Sequence, residues 1–224
     1  MQRPIVTVPP CIFAQVEFAW DIDWRSISVG ETTDGTTRTH YDGFPRFVGS
    51  PVISLTGAAM HQWRAIRAAA RGKVGLYEIE MTDLAFVKDP VGGITNSTGV
   101  PFSTGQPFST GRGFAYRPFV LAAADAPRGA TSLTISTTGK LPIAGQIMSA
   151  NKWPFIVTSI TDMGGDEYKL TVEPPLREAI STGDTILHRG VGIFEARESS
   201  MGMPVYSNTQ QAQISLDFIE VLQR

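Results

Sequence analysis

Mainly β structure, with one flanking α-helix and a small β-barrel inserted into the chain, is what this 224-residue sequence predicts. Three observations carry that reading. The 22 Gly and 15 Pro amount to about one residue in six, against a usual one in eight, so turns are frequent. Short runs alternate apolar and polar residues with period two. Only one stretch repeats its apolar residues at helical spacing.

The first forty residues read as extended. From Trp20 to Trp24 the alternation puts Trp20, Ile22 and Trp24 on one face and Asp21 and Asp23 on the other. The run 30–43 has the turn residues of a hairpin tip or long loop, and a second strand over 46–55 is interrupted by Pro51. Thr56 is placed to cap a helix over 57–71, with Gly72 ending it in the left-handed conformation. Ala59, Trp63, Ile66 and Ala70 form its inward stripe, and Arg64, Arg67 and Arg71 share an adjacent face. A strand follows over 76–81, with Glu78 and Glu80 outward.

Residues 89–118 break the pattern. They are rich in Gly, Ser, Thr and Pro and contain PFSTG twice, at 101–105 and 107–111. A loop this long is uncommon in a compact domain, and Phe102, Phe108, Phe114 and Tyr116 are not residues of a flexible spacer. An arm ordered against a neighbouring subunit is expected, with a self-packed surface loop as the alternative. Strands then follow at 132–136, 146–150, 154–160, 168–173 and 185–189, separated by turn signals, which predicts a small barrel or sandwich. The remainder reads as loop and then a closing strand in which Ile214, Leu216, Phe218 and Val221 face a core while Asp217 and Glu220 stay polar. The expected domains are 1–118 with 191–224, and an insertion over 119–190.

Composition narrows the function. Hydrophobic residues are 42%, enough for a core, whereas charged residues are 18% against roughly 25% in soluble domains, which favours extensive contact with other chains. Nineteen Lys and Arg against 21 Asp and Glu give a net charge of −2, so no global basic field draws nucleic acid. Cys11 is the single cysteine, read as a packed thiol between Pro10 and Ile12, and excludes an intrachain disulfide. The N-terminal residues lack a signal-peptide apolar run, and no stretch approaches a membrane span, so folding in cytosol-like conditions without membrane insertion is expected. Asn96-Ser97-Thr98 is read as loop rather than as a glycosylation site.

Reaction chemistry finds little purchase. His40, His61 and His188 are far apart and sit in no metal-ligand spacing. Asp21 and Asp23 read as a solvated outer face. Asp162, Asp166 and Glu167 lack calcium-loop order, and Gly164-Gly165 reads as a hairpin turn. Ser149-Ala150-Asn151-Lys152 matches Ser-x-x-Lys but lies between strands and lacks the partner motifs. No phosphate-binding or dinucleotide loop occurs, so no cofactor and no catalytic residue is assigned. The Arg64/Arg67/Arg71 face, with Arg112 and Arg117, is either solvated or a basic patch for an acidic face of another subunit. Trp20, Trp24, Trp63 and Trp153 could stack on sugars, though three lie on apolar stripes.

The segments GAAMHQWRAI (57–66) and GLYEI (75–79), LTVEPPLR (170–177) with GDTI (183–186), and QISLDFIE (213–220), in this order, resemble the distal tail proteins and related tube-like proteins of long-tailed bacteriophages and gene transfer agents. The resemblance implies a tail-tube-like β-sandwich with one helix and an inserted barrel. It implies a structural, non-enzymatic virion protein, assembled in the host cytoplasm into a ring, commonly a hexamer, at the tail tip. Its partners would be the tail tube protein, tip or hub proteins, and the tape-measure protein and transiting DNA in the channel. Contacts in the ring are expected at Phe102, Phe108, Arg112, Phe114 and Tyr116 and at Arg64, Arg67 and Arg71. The near alternative is a tube or terminator protein. In some relatives the insertion binds host carbohydrate or docks tip proteins; this chain has no clear sugar-binding constellation. Two rivals from other classes are a carbohydrate-binding module presenting Trp153 and a hydrolase using Asp21 or Asp23.

Overall fold

The structure, a computed structural model, describes residues 3–13, 16–17, 19–31, 33–41, 44–81, 83, 102, 104–111, 113, 118–137, 139–205 and 211–223. Its architecture is mainly β, with one α-helix and one closed six-stranded barrel among those residues. In chain order the elements are β1 (Ile5–Thr7), a 3-10 turn (Pro10–Phe13), β2 (Val16–Glu17), β3 (Trp20–Asp23), β4 (Ser26–Glu31), β5 (Thr37–Tyr41), β6 (Arg46–Gly49) and β7 (Val52–Thr56). Then come α1 (Gly57–Ala70), β8 (Leu76–Met81), β9 (Phe119–Ala122), β10 (Ser132–Ser136), β11 (Ile147–Ala150), β12 (Trp153–Gly164) and β13 (Glu167–Glu173). The last are β14 (Thr185–Leu187), β15 (Gly190–Ala196), β16 (Gln211–Ser215) and β17 (Phe218–Glu220). The chain divides into two compact units, Met1–Ile79 with Gly192–Arg224, and Glu80–Val191. The first division falls inside β8, ahead of the residue 119 expected from sequence, and the second inside β15.

In the first unit β1, β8, β15, β17, β6 and β3 form one sheet in that order, while β16, β7 and β2 form another. Pro51 does more than interrupt a strand, because β6 and β7 belong to different sheets. Their partners change sheets at the same level: β16 pairs with β7 as far as Ser215 opposite Val52, and β17 resumes with Phe218 opposite Gly49. A proline without a ladder N–H suits that crossover, and its carbonyl still accepts from Leu216 N at 3.0 Å. Within the run 30–43, the described ends of β4 and β5 pair as a hairpin of their own.

The core of this unit is aromatic. Trp20 lies 4.7 Å from Phe194 and stacks on Phe218 at 6.1 Å, Tyr77 meets Phe218 edge-on at 5.4 Å, and Trp63 stacks on Tyr77 at 6.5 Å, all between ring centroids. Trp20 and Gly49 are direct cross-strand partners, and the indole covers the glycine so closely that a β-carbon there would overlap the ring. Trp24, expected beside Trp20, is 41% exposed, because β3 ends at Asp23 and the alternation ends with it.

α1 starts after Thr56 as expected, but no side-chain cap bond forms there. Its buried stripe is Met60, Trp63, Ile66 and Ala70, one position past the expected Ala59 at its start. The left-handed position falls on Arg71 (φ 53°), one residue earlier than expected, with Gly72 following at φ 63°. Arg71 N donates to Ala68 O and Gly72 N to Arg67 O, the paired bonds of a Schellman ending. Cys11 is exposed rather than packed, because the 3-10 turn sends Ile12 and Phe13 inward instead.

Two strands escaped the sequence reading, and one polar residue was misplaced. β15, expected as loop from residue 191 onward, is an interior strand of the large sheet. β9, four residues after Pro118, closes the barrel. Glu220 is fully buried, and its Oε2 accepts from Phe47 N at 3.0 Å, taking the role of a ladder carbonyl just past the last β17–β6 pair.

In the second unit the barrel runs β10, β13, β12, β11, β14, β9 and back to β10. Alternate residues fill it: Leu133 and Ile135, Leu170 and Val172, Phe155 and Val157, Met148, Ile186, Val120. Two tight turns obey their chemistry. Asn151-Lys152 and Gly165-Asp166 all have positive φ, the requirement of the primed hairpin turns. The turn expected at Gly164-Gly165 falls on Gly165-Asp166, with Gly164 ending β12, and Asp162 accepts from Gly164 N at 2.8 Å. Ser149 is buried in β11, donating to Arg189 O and accepting from Val191 N. Its Ser-x-x-Lys match is therefore strand followed by turn.

His188, 5% exposed, meets Gln146, whose Nε2 donates to His188 O at 2.6 Å and lies 3.3 Å from Nδ1. Burial, and then the Lys140 charge, push this imidazole down to about 4 against the opposing backbone hydrogen bond to Lys140.

Two outcomes follow. Gly49→Ala forces the Trp20 indole off its strand and costs about 1–3 kcal/mol, read as a Tm several degrees lower by calorimetry. Between pH 6.5 and about 4 the unfolded chain takes up a proton that folded His188 refuses. Stability therefore falls as the pH drops through that window, by up to about 3 kcal/mol, and His188→Gln flattens the pH dependence of the urea midpoint.

Candidate docking site

Arg64, Arg67 and Arg71 recur at spacings of three and four, which sets them along one stripe of α1 beside the buried one. They line an open groove with Ala68 and Gly72, whose far wall is Ser199, Met203 and Pro204. Arg64 and Arg71 are exposed and Arg67 is half-buried. Among the described residues no carboxylate lines the groove. Residues 57–75 contain no acid at all, so the helix supplies no internal counter-charge. The negative pole of the helix C-terminus supports Arg67 and Arg71 there, by tenths of a kcal/mol up to about 1.

The far wall is pinned by the core. Trp63 Nε1 donates to Gly202 O at 2.7 Å, at a buried site. Arg67 Nη2 reaches Ser199 O at 3.4 Å, and the turn closes through Met201 N to Glu198 O and Met203 N to Ser200 O. Met201 is buried while Met203 is 61% exposed and Val205 80% exposed. The groove therefore presents cations on one side and apolar surface on the other. Tyr77 beneath donates to Gly72 O at 3.0 Å; burial raises its hydroxyl pKa and the Arg67 charge opposes that.

The three helix arginines are thus brought together, as their spacing predicts. Arg112, Arg117, Phe114 and Tyr116 lie outside the described residues. Phe102 and Phe108 pack edge-to-face at 4.9 Å, and each begins an equivalent turn, Gly105 N to Phe102 O and Gly111 N to Phe108 O, both 2.8 Å. Both rings remain about 40% exposed. The far wall at Met203 went unread in the sequence, although Gly202-Met203-Pro204 signals a turn.

The other candidates hold less. Asp21 accepts from Ile22 N and Asp23 from Arg25 N, both local. Among the described residues no group of three or more His, Cys, Asp or Glu is placed to hold a metal ion. Trp153 lines a cleft of about 10 Å³, room for one water, so a sugar ring does not fit inside it.

Trp63→Phe removes the donor to Gly202 O and leaves that buried carbonyl wanting. A loss of about 1–3 kcal/mol is expected, together with faster proteolytic cutting near residues 199–205 than in the wild type. Compared by sequence, the chain matches no protein-family model and no curated protein.

Proposed function

We propose that this protein is a structural subunit of a phage-like tail tip, a distal tail protein that closes into a ring joining the tail tube to the tip hub around a channel. The observation that carries the reading is the β4–β5 ribbon. Its two strands pair with each other, from Ser26 opposite Tyr41 to Glu31 opposite Thr37, and with no other strand among the described residues. A lone two-stranded ribbon is marginal in water, and its outer edges offer unpaired backbone groups to another chain. Such a ribbon gains stability on a neighbouring subunit. A mainly β chain with one helix and an inserted barrel agrees with the resemblance of its segments to tube-like proteins.

In a ring of this kind each subunit offers one face to the copy before it and another to the copy after it. The chain then acts through shape and contact, and needs no reacting group. The channel passes tape-measure protein and DNA without reading sequence.

The test is the mass of the purified chain by native mass spectrometry, with images of the particles and a complementation assay for tail assembly. A closed ring is expected, and replacing 27–40 by a short Gly-Ser turn shifts the mass to monomer while the thermal transition of the barrel remains. A chain that is monomeric at every soluble concentration and also fails to join tails overturns the proposal.

A further inference from the structure

We infer that the ring contact is a heterologous self-docking in which the Trp24/Phe44 end of β3 and β6 in one copy enters the Arg64/Arg67/Arg71 groove of the next. This rests on the ring reading and names its two faces. The occupant is a second copy of this chain, and charge complementarity argues for it.

Residues 57–74 carry Arg64, Arg67, Arg71 and Lys73 and no acid, whereas 17–34 carry Glu17, Asp21, Asp23, Glu31 and Asp34 against a single base, Arg25. Glu17, Asp21, Glu31 and Asp34 are exposed. Arg46, directly opposite Asp23 across the β3–β6 ladder, offsets that one carboxylate, and Val48 stands opposite Asp21. On the other face, Glu198 precedes the groove wall and accepts from Ser200 Oγ at 3.4 Å.

The two faces lie on different parts of one unit. β3 is one edge strand of the six-stranded sheet and β1 the other. α1 packs on β1, and its Trp63 stacks on Tyr77 of β8, the strand next to β1. One copy can therefore give with one face and receive with the other, which is the geometry that propagates around a ring.

Apolar surface matches as well as charge. The β3–β6 ladder ends at Asp23 opposite Arg46, and Trp24, just after β3, and Phe44, two residues before β6, are 41% and 64% exposed at that end. Met203 stands exposed on the groove wall facing the arginines. Aromatic, Arg and Met side chains are what interface centres favour, and an aromatic ring is well received by a guanidinium and a thioether. Asp21, Glu31 and Asp34, with Arg38 as the one base of the ribbon, then lie at the rim of the contact, where charge sets orientation and association rate.

The experiment uses two full-length variants, Arg64→Glu with Arg71→Glu, and Trp24→Ala with Phe44→Ala, alone and mixed. All four residues are exposed, so the melting temperature should stay near wild type, and circular dichroism checks this. Each variant alone is expected to be a monomer, self-associating at least about 30-fold more weakly. The equimolar mixture is expected to stop at a 1:1 dimer, because only one intact pair of faces remains, and 0.5 M NaCl should weaken it. A ring whose mass survives either double substitution overturns the docking and leaves the ring reading standing, and so does a mixture that stays monomeric. An open ladder of masses, lost in both variants, supports the docking and overturns the ring. A wild-type chain that is monomeric throughout overturns both.

Discussion

The Trp63 indole is the constraint on which the first unit turns. It is wholly buried, its ring lies on Tyr77, and its one donor is spent on Gly202 O. An apolar substitute would fill much of the space but leave a buried carbonyl without its partner, so the site demands an aromatic ring with an N–H at one edge. Through that group the helix, β8 and the segment after β15 are fixed relative to each other. The arginine stripe on the outside inherits its position from a contact on the inside.

The second unit is stabilised differently. Its barrel closes by strand pairing, leaving no edge within the ring of six strands. Polar groups at its periphery are tied in pairs: Gln146 to His188, Ser149 to Arg189 and Val191, and Glu80 to Arg189 at 2.7 Å. Asp125 accepts from both the N–H and the hydroxyl of Thr182, which lowers its carboxyl pKa. These bonds join residues far apart in sequence and set the register of segments that would otherwise slide.

Much of this could be read from residues alone, for local reasons. β8, β10 and the body of α1 follow from alternation or from the spacing of buried residues, and the turn at Gly165 from backbone freedom. What escaped was set by distant neighbours. β15 opens on Gly190 because side chains of Ile147 and Met81 crowd that position, a reason invisible within the segment. Glu220 looked like a solvent residue until β6 supplied the N–H it serves. Trp24 fell on the right parity but beyond the end of its strand. Of the candidate site, the arginines were legible as a stripe, whereas the wall at Ser199 and Met203 comes from 130 residues further along and is held by one indole.

The place at which the second unit leaves and rejoins the first has an evolutionary meaning. β8 and β15 are immediate neighbours in the large sheet, so the chain departs and returns through adjacent doorways. A short bridge across them would complete the sheet with no barrel present, and a different module of any size could be spliced there at the cost of two junctions. Selection can thus exchange what hangs from this scaffold while the scaffold goes on folding to the same plan.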